Sequence, residues 1–385
     1  MNPPLLPEKY LTRDTDPVIA DWIASDAPFL LVQGPRQVGK SASVGHALLP
    51  FRFESEYGYI DFASREIAEA SYASSVFSET IIQDLLFSLG ASLEPNAILF
   101  LDEIQNALPK DIGNATMQRK WIENLLASAR KASVRLILTG SFLGLSLSCL
   151  SAYFEEHGFP ILTIRSMSFH EFAVGKGFFD PTEWFRIQEL CCAKKSLPLT
   201  LHRRVMDAFA CYLYVGGMPI CVSKFNAETG DLSQSERELA DLTETAKNVL
   251  AQYMDIQGRE TFFDRMLDLF YAGIKASDKR AFNKKAFGSA NADPQFLDFV
   301  RRSEVGLLFF PPNDDDLLKA KIYFSDVGIM HYLAFHGRRP EHEAKDSQTG
   351  LNTLELLPRR ASRENGQYRL RVRTGCRRRL CPAAD

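Results

Sequence analysis

Paired cysteines, a leader-like apolar run and an even spread of charge are all missing from this 385-residue sequence. Seven cysteines, an odd number with no C-x-x-C pair and only Cys191 and Cys192 adjacent, form neither a disulfide framework nor a zinc site. They suit a reducing compartment, and a cytoplasmic location is the expectation. The start, Met1 to Lys9, has no basic region followed by an apolar stretch, so no signal peptide is expected. The greasiest segment, Leu136 to Leu150, is too short and too rich in Ser, Thr and Gly to span a bilayer, which argues against a membrane partner. The histidines show no ligand spacing; His331, His336 and His342 are the nearest approach and lack an i, i+4 pair and acids beside it. Charge is unevenly placed, because residues 337–385 hold 12 Lys and Arg against 6 Asp and Glu in a chain whose net charge is −3.

What is present begins at Phe29-Leu30-Leu31-Val32-Gln33, an apolar strand-like run that breaks into Gly34-Pro35-Arg36-Gln37-Val38-Gly39-Lys40-Ser41. This meets the spacing G-x-x-x-x-G-K-[ST] of a phosphate cradle. Gly34 and Gly39 allow backbone angles that let successive N–H groups turn toward one anion. A helix expected from Lys40 to Leu48 would aim its dipole and unpaired N–H groups at the same spot. Lys40 is expected to reach the β- and γ-phosphates and Ser41 to ligate magnesium, so ATP and magnesium are the expected ligands.

The second chemical element is Ala97-Ile98-Leu99-Phe100-Leu101 running into Asp102-Glu103. A continuous apolar strand is expected to be buried on both faces of a parallel sheet, with its carboxyl end at the ligand crevice. Asp102 there would hold magnesium and Glu103 would polarise the water that attacks the γ-phosphate. Strands are further expected over Tyr57 to Phe62, Val134 to Leu138 and Phe159 to Ile164, with helices near Pro17 to Ala24, Ser64 to Glu69, Val76 to Gly90 and Met117 to Lys131. The strand ending at Leu138 leads into Thr139-Gly140-Ser141, where Thr139 or Ser141 could hydrogen-bond the attacking water or the γ-phosphate; a plain strand-end turn is the alternative. One full strand and helix separate the phosphate-loop strand from the Asp-Glu strand. Right-handed crossovers then predict a parallel sheet of order 5-1-4-3-2, rather than the adjacent pair usual in adenylate-kinase-like folds.

These segments together resemble a prokaryotic AAA+-like P-loop ATPase family, whose motifs read GPRQVGKS, LDEIQ and LTGS, as at Gly34 to Ser41, Leu101 to Gln105 and Leu138 to Ser141. The likeness continues through Ile164 to Phe172, shorter than the family's segment by two residues, through Tyr214 to Pro219 and through Lys321 to Gly328. It implies an α/β P-loop NTPase followed by a C-terminal domain of unknown function with winged-helix-like parts. It also implies ATP hydrolysis with Glu103, Lys40 and Ser141 as the catalytic set.

The expected organisation is an N-terminal lead-in over 1–27, a P-loop ATPase domain over 28–165, a helical and winged-helix-like domain over 166–336 and a tail over 337–385. Within the third part, Ser168 and Glu171 have capping-box spacing, which favours a helix start over chemistry. Gly216-Gly217 before Pro219 reads as a helix stop, and Asp326 can cap a helix over Val327 to Leu333. Helices are expected over Leu201 to Leu213, Ser235 to Tyr253, Thr261 to Ile274, Lys279 to Phe287 and Pro294 to Ser303, and strands over Val305 to Phe310 and Lys321 to Phe324. DNA could be contacted by Lys275, Lys279, Arg280, Lys284, Lys285, Arg301 and Arg302. The interleaved Asp278, Asp293, Asp298 and Glu304 favour an ordinary solvated face instead. The functional expectation is therefore an ATPase coupling nucleotide state to a macromolecular partner, the alternative a DNA-associated module with regulatory nucleotide. A second copy of the chain is a further candidate partner, for which Arg36, Arg130, Arg135 and Arg165 are open as arginine fingers.

The family resembled usually continues into a PD-(D/E)XK nuclease-like region, and only the stray Glu364-Asn365 pair matches it. A reading frame shifted or truncated near residues 337–350, leaving a disordered tail, is the expectation; a basic nucleic-acid-binding tail competes with it. Translating the other frames of the gene beyond this point should recover the missing nuclease motifs, and their absence from every frame would refute the shift.

Overall fold

The computed structural model describes residues 7, 10–51, 56–64, 67, 80–88, 90, 92–108, 115–250, 252, 253, 263, 266, 294–309, 321–336, 361–364 and 367–370. By contact these fall into two compact units, residues 1–167 with 244–326, and residues 168–243 with 327–385. The described residues within 244–326, grouped on sequence with the helical C-terminal region, fall in the same unit as the sheet.

Five strands form that sheet: β1 (Phe29–Gly34), β2 (Tyr57–Asp61), β3 (Ile98–Asp102), β4 (Arg135–Ser141) and β5 (Ile161–Thr163). All pair in parallel in the order β2-β3-β4-β1-β5, the expected 5-1-4-3-2 arrangement read from its other edge. Every residue of β3 is buried and β1 is buried but for Gln33, as strands covered on both faces require. Register sets the site, since Gly34 lies opposite Ser141 and Asp61 opposite Asp102, which brings the polar strand ends to one edge. Below that edge Leu31, Leu99, Leu101, Leu136 and Leu138 pack with Trp121, Leu125 and Phe154. Each such side chain contributes roughly 1.5–3 kcal/mol by leaving water.

The lead-in helix Asp16–Ala24, expected near Pro17 to Ala24, props β1: Trp22 Nε1 donates to Phe29 O at 3.1 Å. Arg135 lies over the Trp22 ring and donates to the carbonyls of Trp22, Ile23 and Ala27. Arg130 lies over the rings of Phe29 and Phe159. Arg135 is thus engaged in packing within this chain, whereas Arg130 is exposed beside its two rings. The turn Leu143–Ser146 and helix Ser148–Glu156 fill a stretch where Gly144, Ser146, Ser148 and Ser151, weak helix formers, gave no helical signal. Helix Ala115–Lys131 buries Trp121, Leu125 and Leu126, and helix Ile81–Ser88 lies within the span expected from Val76 to Gly90, of which residues 76–79 and 89 lie outside the described residues. The expected helices over Ser64 to Glu69, Thr261 to Ile274 and Lys279 to Phe287 lie essentially outside the described residues. Helix Pro294–Ser303 and the antiparallel pair β6 (Gly306–Phe309) and β7 (Lys321–Phe324) follow expectation.

In the second unit, helix Phe169–Gly175 begins with a complete capping box: Ser168 N donates to Glu171 Oε2 and Glu171 N to Ser168 Oγ. Glu171 therefore closes a helix start. Asp180 and Glu183 repeat the device at Pro181–Cys192, where Arg204 clasps Glu183. Phe169, Phe172, Phe178, Phe179, Trp184 and Phe225 form an aromatic cluster around these helices. Leu199–Val215 stops at Gly216, as read, and packs on Val327–His336. Within the tail, β8 (Ala361–Glu364) and β9 (Gln367–Leu370) pair antiparallel. Among the described residues no helix is long and apolar enough to cross a membrane.

Cys211 is buried and its thiol is pushed up to about 11 by loss of solvent, whereas Cys191 and Cys192 are exposed. Because the thiolate is the nucleophile, iodoacetamide at pH 8 should alkylate Cys191 and Cys192 at least about tenfold faster than Cys211, read by peptide mass mapping. Equal rates would contradict the packing of Leu199–Val215.

Candidate functional site

The loop between β1 and helix Lys40–Leu48 is built as its glycines suggested. Gly34 has φ +147°, and a Cβ there would sit 2.0 Å from the Ile164 carbonyl oxygen, so no side chain fits where the chain passes the end of β5. Gly39 caps the helix at φ 93°, and Gln37 also takes a positive φ of 64°. Arg36 and Gln37 are exposed at the loop tip, while Pro35 and Val38 are buried. Arg13, also buried, donates to Val38 O at 2.8 Å and to Arg165 O at 2.6 Å, tying the loop to the segment beyond β5.

Lys40 is 4% exposed, and its amine donates to Gly34 O at 3.2 Å, Pro35 O at 2.7 Å and Ser141 Oγ at 3.0 Å. All three protons thus have acceptors, as a buried ammonium requires. Burial still pulls its pKa down, opposed by the negative charges of Glu103, Asp102 and Glu304. Ser141 passes the interaction on, donating to Glu103 Oε1 at 2.8 Å. Glu103 opens a short 3-10 turn, Ile104–Ala107, in the left-handed region at φ 51°. Gln105 Nε2 holds its other oxygen, and Gln105 Oε1 faces Ser141 N at 3.4 Å.

Asp102 is 4% exposed and receives hydrogen bonds from Thr139 Oγ1, from Ser41 and, at 3.1 Å, from the Tyr59 hydroxyl. Burial pushes its pKa up, partly countered by the Thr139 and Ser41 hydroxyls. The same burial and the Asp102 charge push the Tyr59 phenol up. Lys40, Ser41, Asp102, Glu103 and Ser141 therefore meet on one edge of the sheet, the acids on the same side as the amine. Thr139 and Ser141 divide the two acids between them: Thr139 serves Asp102 and Ser141 serves Glu103.

Sequence reasoning passed over Tyr59, Gln105, Arg13, Glu304 and Tyr253. Alternation along β2 puts Tyr59 and Asp61 on one face, and Gln105 follows the acids by two residues, so both had a local signal. Arg13, Glu304 and Tyr253 reach the site only through the folded chain; Tyr253, 39% exposed, feels the charges of Arg36 and Glu103. Of the basic cluster considered for DNA, Arg301 pairs with Asp298 at 2.6 Å and Arg302 donates to Gly144 O at 2.7 Å. Lys275, Lys279, Arg280, Lys284 and Lys285 lie outside the described residues.

Residues 26–173 match the family model described as an AAA domain, under half of the chain. No curated protein matches significantly. Among solved structures, the chain is similar to a Walker-type ATPase of Pyrococcus abyssi at 16% identity and TM-score 0.47, covering 87% of this chain and 99% of that one. It is also similar to AMPPCP-bound DnaA from Aquifex aeolicus, at 14% identity and TM-score 0.33 over 79% and 92% of the two chains. A third likeness is to the Aeropyrum pernix ORC1 protein in complex with DNA, at 12% identity and TM-score 0.34 over 87% and 95%. The sheet order and the matched AAA domain place this part of the chain in the P-loop NTPase fold class.

Proposed function

We propose that the chain binds ATP with magnesium along Gly34 to Ser41 and hydrolyses it, using the nucleotide state to act on a macromolecular partner. The observation that supports this best is the unbroken run of hydrogen bonds from Lys40 through Ser141 to Glu103, beside an Asp102 bonded to Ser41. A phosphate chain fits this edge because Lys40 already spends its protons on two loop carbonyls that an anion would replace as acceptor. The N–H groups opening the Lys40–Leu48 helix supply further donors. Ser41 and Asp102 would hold the magnesium, whose chemistry is to neutralise charge building on the β- and γ-phosphates.

Glu103 is the general base in this reading. It takes a proton from the attacking water, and Ser141 and Gln105 hold the carboxylate in place while it does so. Ser141, bonded to both Lys40 and Glu103, is placed to sense the γ-phosphate. The P-loop domain extends over 28–165, and the winged-helix-like character of the parts after it, where Pro294–Ser303 precedes the β6-β7 hairpin, supports a role in contacting the partner.

Two variants test the roles. Lys40→Ala should lose ATP binding in equilibrium dialysis. Glu103→Gln should retain binding within about threefold and lose at least about a hundredfold in turnover by phosphate release. Normal hydrolysis by Glu103→Gln would overturn the assignment of the base.

A further inference from the structure

Glu304 follows helix Pro294–Ser303 with a φ of 57°, a conformation uncommon for a residue with a side chain. Its Oε2 is buried with no hydrogen-bond partner among the described residues. The backbone on either side is anchored to the site. Arg302 Nε donates to Gly144 O at 2.7 Å, and a Cβ on Gly144 would lie 2.6 Å from Arg302 O, so the helix end sits directly on the turn that follows Ser141. On the other side Ser325 N donates to Val305 O at 2.8 Å, and Ser166 Oγ donates to Ser325 O at 2.9 Å. Ser166 adjoins Arg165, whose carbonyl shares Arg13 with Val38 of the phosphate loop.

A buried carboxylate with an oxygen left without a hydrogen bond is unfavourable by roughly a few kcal/mol unless opposite charge compensates. Burial pushes the Glu304 carboxyl up, and the positive charges of Lys40 and Arg165 oppose that shift and favour its ionised form. Phosphates arriving at Lys40 would take up that compensation and add like charge beside the carboxylate.

We propose that Glu304 is a phosphate-responsive residue: it lends its negative charge to the phosphate loop when no polyanion is bound, and is driven off, with residues 294–309 and 321–326, when phosphates arrive. This rests on the nucleotide-binding reading of the same site and adds the means by which phosphate occupancy reaches the segments beyond the sheet. Glu304 and the bound phosphates compete, so removing the charge strengthens nucleotide binding.

The test compares the native protein, Glu304→Gln, Glu304→Ala and Lys40→Ala. A fluorescent ATP analogue with magnesium reports affinity, and hydrogen exchange with and without ATP reports the segments. Glu304→Gln should bind the analogue about fivefold or more tightly than the native protein, as follows from removing a nearby like charge, with a Tm in the absence of nucleotide no lower than native. ATP should raise exchange over 294–309 and 321–326 in the native protein and leave it unchanged in Glu304→Gln. Glu304→Ala should show the same tightening, which keeps the test informative if one variant folds poorly. Native binding that depends on Lys40, with no tightening in either Glu304 variant, overturns the inference and leaves the nucleotide site standing. A native protein that does not bind the analogue overturns the nucleotide site and the inference together.

Discussion

An ammonium group buried at a sheet edge persists only if each of its protons has an acceptor and negative charge stands nearby. Lys40 meets both conditions through two loop carbonyls, the Ser141 hydroxyl and the acids that follow β3. Much of the architecture serves that arrangement. β4 must run between β1 and β3 so that Ser141 can touch Lys40 on one side and Glu103 on the other. Parallel pairing in register must end the three strands together. Gly34 must lack a side chain so that the loop can leave β1 beside Ile164. A shift of one residue in β4 would send Ser141 to the other face and break the connection.

Much of this could be read before folding, for a physical reason: strands buried on both faces carry unbroken apolar runs that end abruptly in polar residues. Leu30 to Val32, Ile98 to Leu101 and Leu136 to Leu138 announce themselves in that way, and counting the elements between them yields the sheet order. The capping box at Ser168 and Glu171 was equally readable, because its two hydrogen bonds span only three residues. Helix Ser148–Glu156 went unread because Gly144, Ser146, Ser148 and Ser151 break up its apolar positions and are weak helix formers.

Within the site, what escaped sequence reading has a common character. Glu304 and Arg13 act over large separations, and nothing local marks a surface-type residue as buried beside a phosphate loop. Thr139 and Ser141 were read as interchangeable candidates; they share one face of β4, and their successive positions along it give one hydroxyl to each acid. Arg135 could be weighed as a free cation only until its aromatic and carbonyl partners were seen. Local chemistry is thus legible in the chain, whereas the ownership of a long side chain belongs to the tertiary fold.

The central claim is that one edge of the sheet receives a metal-bound triphosphate between the lysine and the first acid. Anomalous scattering from manganese, in crystals grown with a non-hydrolysable ATP analogue, locates that metal directly. The account predicts a single strong peak bridging Ser41 and Asp102, with the terminal phosphates beside Lys40. Nucleotide bound elsewhere on the chain, or manganese with no contact to Ser41 or Asp102, would contradict it.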